Sequence, residues 1–339
     1  MVSDQLPRYV LPAIYLVPAV QVCADKCIDF KNVLMRAGLS PNILSHPNDP
    51  IDQVAFVRAL NEGAKASRDE LFGFLVGKDL HLHNLGTVGA LVAAQTCIAN
   101  IYPVISYLFN TQHRGARHYL SMTESTAYHN IKYLIEDEVE CHQVAQVTLM
   151  GYHNVFKNTL GDVWKPTRIL MKNPKPIDTS RMEVVCGCPV VTGADRNAIE
   201  FPRSLVYLER EVEQIDELAQ KKELANVLLE CEGPDRLVGN YIEFSLADGQ
   251  FDKETIAQRL GIHPRVLQNC LNARGLDYKT ILQSVRQTKA CTLLKDTHFS
   301  VSDISSQLGF SEPRVFSRAF KNWMSMTPLQ YRKMIRKSD

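Results

Sequence analysis

Along the first two thirds of the chain the hydrophobic period switches between helical and strand-like, while along the last third it stays helical and comes in short pieces. In Ile51–Ala66, Val54, Phe56, Val57, Leu60 and Ala64 fall at helical spacing, which predicts an amphipathic helix. Leu85–Leu108 is a long apolar stretch rich in Ala, Val and Ile; it predicts one or more buried helices, with Pro103 as a break or a start. Ile131, Tyr133 and Ile135 have period two and predict a strand over His129–Val139, after which Cys141–Leu160 returns to the helical period. Pro166–Asn173, Glu183–Val191 and Ile199–Tyr207 predict further strands, separated by Pro, Gly and Asp195-Arg196-Asn197 turns. Arg203–Glu230 is a charged helical stretch closed by Cys231-Glu232-Gly233-Pro234. Its Leu205, Leu208, Val212 and Ile215 follow a 3-4-3 spacing that Lys222 ends, so they form either a short coiled-coil contact or an intramolecular packing face.

These patterns predict two domains. Residues 1–205 form an α/β (or α+β) regulatory domain and 206–235 a linker helix with a candidate dimer contact. Residues 236–339 form an all-α domain in which two helix-turn-helix units are joined by a long helix.

The C-terminal block repeats itself. Thr255–Ile262 (TIAQRLGI) aligns with Asp303–Phe310 (DISSQLGF) at an offset of 48, and Pro264–Leu271 (PRVLQNCL) with Pro313–Phe320 (PRVFSRAF) at 49. Each copy has the parts of a helix-turn-helix. Asp252 and Ser300 are suitable N-caps, because a side-chain oxygen there can accept a free amide hydrogen of the first turn. Ile256, Ala257 and Leu260, like Ile304, Ser305 and Leu308, put small or apolar groups on one face. Gly261 and Gly309 permit the left-handed backbone of a tight turn. Pro264 sits at a first helical position, where no intrahelical hydrogen bond is lost. Leu267 with Leu271, and Phe316 with Phe320, bury the second helices at i, i+4.

What these second helices leave exposed is polar and long. Arg265, Gln268 and Asn269 project from the first, and Arg314, Ser317 and Arg318 from the second. Arginine can make a bidentate contact to guanine, and glutamine or asparagine to adenine, so these six are the candidates for base readout. Arg274, Lys321 and Arg332 are the candidates for phosphate anchoring. Between the units, Tyr278–Leu294 carries Ile281, Leu282, Val285, Ala290, Leu293 and Leu294 as an apolar stripe. A helix of that length, roughly 25 Å, could hold the units apart on the scale of successive major-groove faces, about 34 Å.

Charge sharpens this picture. The chain has a formal net charge of only +1, yet residues 250–339 carry 15 Lys and Arg against 7 Asp and Glu, a net of +8. The other 249 residues hold 23 against 30, a net of −7. Positive charge collected in one domain-sized block points to an anionic partner, here double-stranded DNA. With 45% hydrophobic and 22% charged residues, either half can bury a core of its own. The apolar run Leu11–Val22 is twelve residues long, holds Pro12 and Pro18 and lacks a basic lead, so neither a membrane span nor an export signal is expected. Nine cysteines at irregular spacing read as reduced thiols of a cytoplasmic protein.

The C-terminal segment closely resembles the AraC/XylS-type DNA-binding domain. The resemblance rests on Leu260-Gly261, Pro264-Arg265 and Leu267-Gln268, on Val285-Arg286, Ala290 and Leu293-Leu294, and on Leu308–Pro313 (LGFSEP). Its most specific part is Phe316–Trp323 (FSRAFKNW), followed by Thr327-Pro328 and Tyr331-Arg332. The resemblance implies transcription regulation, with both second helices entering the major groove. Asn269 stands where that family usually has Arg, and Ser325 where Gly is usual. The rest of the chain resembles the subgroup with an N-terminal arabinose-binding-like sensor domain, through Ala37-Gly38-Leu39, Phe72–Gly77 (FGFLVG), Lys172–Pro176 (KNPKP), Cys186–Val190 (CGCPV) and Asn197–Phe201 (NAIEF). These are glycine turns and strand edges rather than chemistry. The resemblance implies a small-molecule effector; a ligand-independent regulator, whose N-terminal domain is a dimerisation or protein-interaction platform, is the alternative. RNA polymerase and a second copy of the chain are further candidate partners.

Other clusters point less far. Cys186-x-Cys188 lacks a second Cys or His pair at matching spacing, as does His81-x-His83 a third ligand, and Cys23-x3-Cys27 reads as buried thiols at helical spacing. Glu136–Glu140 with His142 reads as a solvated strand-to-helix turn. No metal and no cofactor is expected. No phosphate loop, Gly-x-Ser-x-Gly elbow or paired-carboxylate motif is present, so no enzyme is expected. DNA alkyl-transfer repair proteins that share such a DNA-binding domain need a Pro-Cys-His-Arg site or a four-Cys cluster, and the chain has neither.

Overall fold

A computed structural model describes residues 9–80, 89, 92–93, 95–111, 115–173, 177–209, 234–246, 249–260 and 262–335. The chain divides into two compact units, Met1–Glu213 and Gln214–Asp339. Gly261, His81-x-His83, Val212, Ile215 and most of the expected linker helix lie outside the described residues.

The N-terminal unit is mixed α/β. A short antiparallel pair, β1 (Val10–Pro12) with β2 (Pro50–Asp52), frames α1 (Val17–Asp25) and α2 (Phe30–Arg36). The predicted helix over Ile51–Ala66 is α3 (Gln53–Ser67); the Asp52 carboxylate accepts the Val54 amide, and Val54, Val57 and Leu60 are buried. The Phe72–Gly77 segment is not a glycine turn but the helix α4 (Phe72–Lys78). Its glycines serve close approach: a β-carbon on Gly73 or Gly77 would strike the backbone of α6 (His142–Leu160) at Gln143 and Val147. The side chains of Gln143 and Gln146 accept the amides of Gly73 and Phe74, so α6 also satisfies the free first turn of α4.

The apolar run before residue 108 yields α5 (Ile98–Thr111), which continues through Pro103 rather than breaking or starting there. An interior proline costs about 3 kcal/mol, and burial of Ile98, Ile101, Val104 and Ile105 at about 1.5–3 kcal/mol each outweighs it.

Five strands form the main sheet: β3 (Ala116–Met122), β4 (Thr126–Tyr133), β5 (Arg168–Leu170), β6 (Val190–Val191) and β7 (Asn197–Pro202). Their order is β3-β4-β7-β5-β6, antiparallel throughout except β5 with β6. His129 pairs with Ile199, and Ile169 pairs with Ile199 from the other side.

Three strand expectations change. The strand expected over Ile199–Tyr207 is β7, which starts at Asn197 and ends at Pro202, where Arg203–Leu205 turn as a single 3-10 helix. The strand expected over His129–Val139 starts earlier and stops at Tyr133, with Glu136–Glu140 in the turn before α6. Of the strand expected over Glu183–Val191, the first four residues belong to α7 (Ser180–Cys186) and only Val190–Val191 is strand, as β6. Met182 and Cys186 are buried at i, i+4, whereas adjacent Val184 and Val185 are both exposed, so no alternation exists to support a strand. The Cys186 and Cys188 thiols are buried, and burial pushes them up to about 12 and 11, away from thiolate chemistry. Cys23 is buried in α1, but Cys27 lies beyond the helix end at φ 55° and is exposed, so the two do not share a helix face.

The C-terminal unit is all-helical: α8 (Pro234–Ser245), α9 (Lys253–Arg259), α10 (Pro264–Asn272), α11 (Tyr278–Asp296), α12 (Val301–Gln307), α13 (Pro313–Met324) and α14 (Pro328–Ile335). Its core is apolar, with Leu237, Tyr241, Ile256, Leu267, Leu294, Ile304, Phe316 and Phe320 all at most 1% exposed.

Candidate nucleic-acid interface

Two helix pairs carry the candidate interface, and local chemistry sets both. Asp252 accepts the Thr255 amide at 2.8 Å and starts α9. Ser300 and Asp303 form a reciprocal capping box at the start of α12: the serine hydroxyl accepts the Asp303 amide at 3.1 Å, and the aspartate accepts the Ser300 amide at 3.0 Å. The Thr255 hydroxyl on Asp252 and the Ser300 hydroxyl on Asp303, with the backbone amides of the same residues, hold both carboxyls below their ordinary range. Pro264 and Pro313 each stand in the first turn of a second helix. At α10 the cap is His263, whose Nδ1 accepts the Arg265 amide at 3.2 Å, a role not read from the sequence. Gly309 has φ 66°, as a left-handed turn requires.

Once Leu267 and Leu271 are buried, α10 turns Arg265, Gln268, Asn269 and Asn272 outward at i, i+3, i+4, i+7. Burial of Phe316 and Phe320 does the same on α13 for Arg314, Ser317, Arg318 and Lys321. The two rows differ in chemistry. Gln268 is held at both ends: its Nε2 donates to Asn272 Oδ1 at 2.8 Å, and its Oε1 accepts from Lys253 Nζ at 3.3 Å. Arg314, Arg318 and Lys321 are exposed and enter no ion pair among the described residues. Asn272 extends the first row and was missed, although i+7 spacing from Arg265 would have found it.

The phosphate candidates separate. Lys321 lies on the α13 row, and Arg274 is exposed just beyond the end of α10. Arg332 joins neither row. Its Nε donates to the Leu294 carbonyl at 3.3 Å and its Nη2 to the Phe299 carbonyl at 2.7 Å, which ties α14 to the end of α11.

A second missed residue lies between the units. Arg286, midway along α11, stacks between two rings, 4.7 Å from the Phe251 centroid and 4.3 Å from that of Phe310. Its Nε donates to the Leu308 carbonyl at 3.0 Å and its Nη2 to the Gly309 carbonyl at 2.8 Å. Burial lowers its pKa, but a guanidinium stays charged. A β-carbon on Gly309 would run into the Phe251 ring, so the segment leading into α9 sits directly on the turn of the second unit.

Comparison with known proteins places the whole chain. Residues 28–209 match the family described as the arabinose-binding domain of AraC transcription regulator, N-terminal, and residues 256–334 match a helix-turn-helix domain. The chain belongs to the AraC family of transcription regulators. It is 27% identical over 315 residues to the HTH-type transcriptional regulator VirS of Mycobacterium tuberculosis, covering 88% of this chain and 89% of that one. It is 21% identical over 334 residues to the ornithine utilization regulator of Pseudomonas aeruginosa, covering 95% and 96%. The crystal structure of the transcriptional regulator CdpR from Pseudomonas aeruginosa aligns over 94% of this chain and 98% of its own, at 19% identity and a TM-score of 0.48. As an AraC-family protein the chain binds DNA through its helix-turn-helix domain and belongs to regulators rather than enzymes. Among the described residues no helix is long and apolar enough to cross a membrane. Nor, among them, are three or more His, Cys, Asp or Glu side chains grouped to hold a metal.

Within the N-terminal unit, polar groups gather under α6. His129 is fully buried, shares its Nδ1 with the Tyr102 hydroxyl at 2.7 Å and lies 3.8 Å from the Tyr152 ring. His118 stacks on the same imidazole at 5.7 Å, and His153 Nδ1 accepts from Trp164 Nε1 at 3.3 Å. Burial pulls His129 down to about 3, and burial with nearby Lys157 pulls His153 to about 4, so both are neutral at pH 7.

Proposed function

We propose that this AraC-family protein is a cytoplasmic, effector-responsive regulator that reads two adjacent major-groove faces with α10 and α13. The observation that carries this is the pair of outward rows at matching spacing on two second helices that each start at a proline and each follow a side-chain-capped first helix. Arg265, Gln268 and Asn269 on one helix and Arg314, Ser317 and Arg318 on the other read bases. Arg274 and Lys321 hold phosphates. Arg332 is assigned to holding α14, because carbonyls already engage its guanidinium.

Residues 1–205 sense a small molecule, 206–235 couple and supply the candidate dimer contact, and 236–339 bind DNA. The family of the N-terminal domain supports the sensing role. The DNA reading is tested by fluorescence anisotropy of the full chain on selected duplexes across a salt series, with affinity expected to fall steeply with salt. Salt-insensitive binding overturns it. The sensing role is tested by a thermal-shift screen of metabolites, in which a ligand at 100 times its Kd adds about 2.7 kcal/mol. A chain that no compound stabilises and that binds its operator unaided is the ligand-independent regulator instead.

A further inference from the structure

Three parts of the C-terminal unit meet at one side chain. Phe251 belongs to the segment that leads into the first helix-turn-helix, while Leu308, Gly309 and Phe310 form the turn of the second. Arg286 belongs to the helix between them. From that helix its guanidinium reaches both other parts: it lies over the Phe251 ring and over the Phe310 ring, and it donates to two successive carbonyls of the turn. Those carbonyls stand at the C-terminal end of α12, where the backbone leaves acceptors without intrahelical partners and where positive charge is favoured.

A planar fork is needed for this. Lysine offers a point charge that cannot lie flat between two rings while bonding two fixed acceptors. The glycine at 309 lets the Phe251 ring come down onto the turn, so the contact closes without slack. The cluster joins the segment before α9 to the turn that precedes α13.

We propose that Arg286 is the positioning residue that fixes the separation and relative rotation of the two recognition helices, and with them the half-site spacing the protein accepts. The proposal rests on the reading that both helices contact DNA. One inserted base pair turns the second half-site by about one tenth of a helical turn, which a rigid pair cannot follow and a loose pair can.

The test takes a duplex selected by the full-length wild-type chain and compares it with duplexes carrying one or two base pairs inserted between its half-sites. Duplexes with either half-site scrambled are measured alongside. Wild type is expected to lose about tenfold in affinity per inserted base pair. Arg286→Ala is expected to shrink that penalty to about twofold while each half-site keeps its own contribution. A wild-type spacing penalty in Arg286→Ala overturns the proposal, and so does an equal loss on every duplex, which would mark a merely structural role. If Arg286→Ala loses its helical circular dichroism, Arg286→Lys carries the same test, with an intermediate penalty expected and a wild-type penalty overturning it. If scrambling one half-site costs wild type nothing, the two-helix reading itself fails, and that outcome is visible before any variant is made.

Discussion

The N-terminal unit buries His118, His129, Asn130, Gln146, His153 and Glu200, whereas the buried polar residues of the C-terminal unit, among those described, are Ser245 and Ser305. The one keeps polar chemistry inside; the other keeps an apolar core and displays its chemistry outside. A buried neutral imidazole makes stability depend on what reaches it, whether protons or a ligand. An apolar core holds its helices in place whatever the solvent does. Buried polar chemistry and an apolar core are thus separated along the chain, as the proposed division into a sensor and a reader would require.

The largest effect should come from breaking the reader's core. Phe320→Ala removes a fully buried ring that meets Phe316, Trp323 and Tyr331, and should cost about 3–5 kcal/mol. DNA binding and the C-terminal thermal transition should vanish together; a variant that keeps both would show that the core is not what holds the rows.

Acid should do the reverse and spare the reader. His129 and His153 take protons more readily unfolded, at an ordinary value near 6.5, than folded, at about 3 and about 4. The stability they provide is therefore complete above pH 6.5 and is lost as pH falls toward those folded values, at roughly 1.4 kcal/mol per unit for each group. Between pH 7 and 5 the N-terminal unit should lose about 2–4 kcal/mol. Near-ultraviolet circular dichroism of Trp164 in a Trp323→Phe background would follow it, and simultaneous melting of the C-terminal helices would break the comparison.

On the surface, Arg318→Ala should weaken specific binding by roughly 1–3 kcal/mol, more than Asn269→Ala does in the first unit. Equal losses, measured by anisotropy, would erase the difference between the two rows. Lys321→Ala should weaken all sequences alike and lower the salt slope by about 1. The smallest effect belongs to Ser325, which ends α13 in the left-handed region at φ 59°. Ser325→Gly should stabilise by about 0.5–1 kcal/mol without touching DNA affinity, because glycine adopts that conformation without strain. Calorimetry would check it.

The reader was legible in the sequence because its determinants are local. The Asp252 and Ser300 caps, the prolines of α10 and α13, Gly309 and the Leu267–Leu271 and Phe316–Phe320 pairs act within a turn or two of themselves. Arg286 was legible as part of the Val285-Arg286 match but its role was not, since its partners come from distant segments. The N-terminal unit was read less well for a similar reason. Gly73 and Gly77 mean helix contact rather than a turn only because α6 lies against them. Glu183–Val191 looked like a strand because valine pairs stand near both its ends, while the fold of its first half is decided by which of Met182, Val184, Val185 and Cys186 find a core.

Gln268 has a consequence for the operator itself. An amide already bonded to Lys253 and Asn272 approaches the groove with its donor and acceptor assigned and little freedom left to lose. A wrong base opposite it is met by a pattern that cannot rearrange, whereas the unpaired side chain of Arg318 can swing to a neighbouring acceptor. An operator read this way is expected to be strict at the end that faces α10 and forgiving at the end that faces α13, so that natural sites would drift mainly at one half.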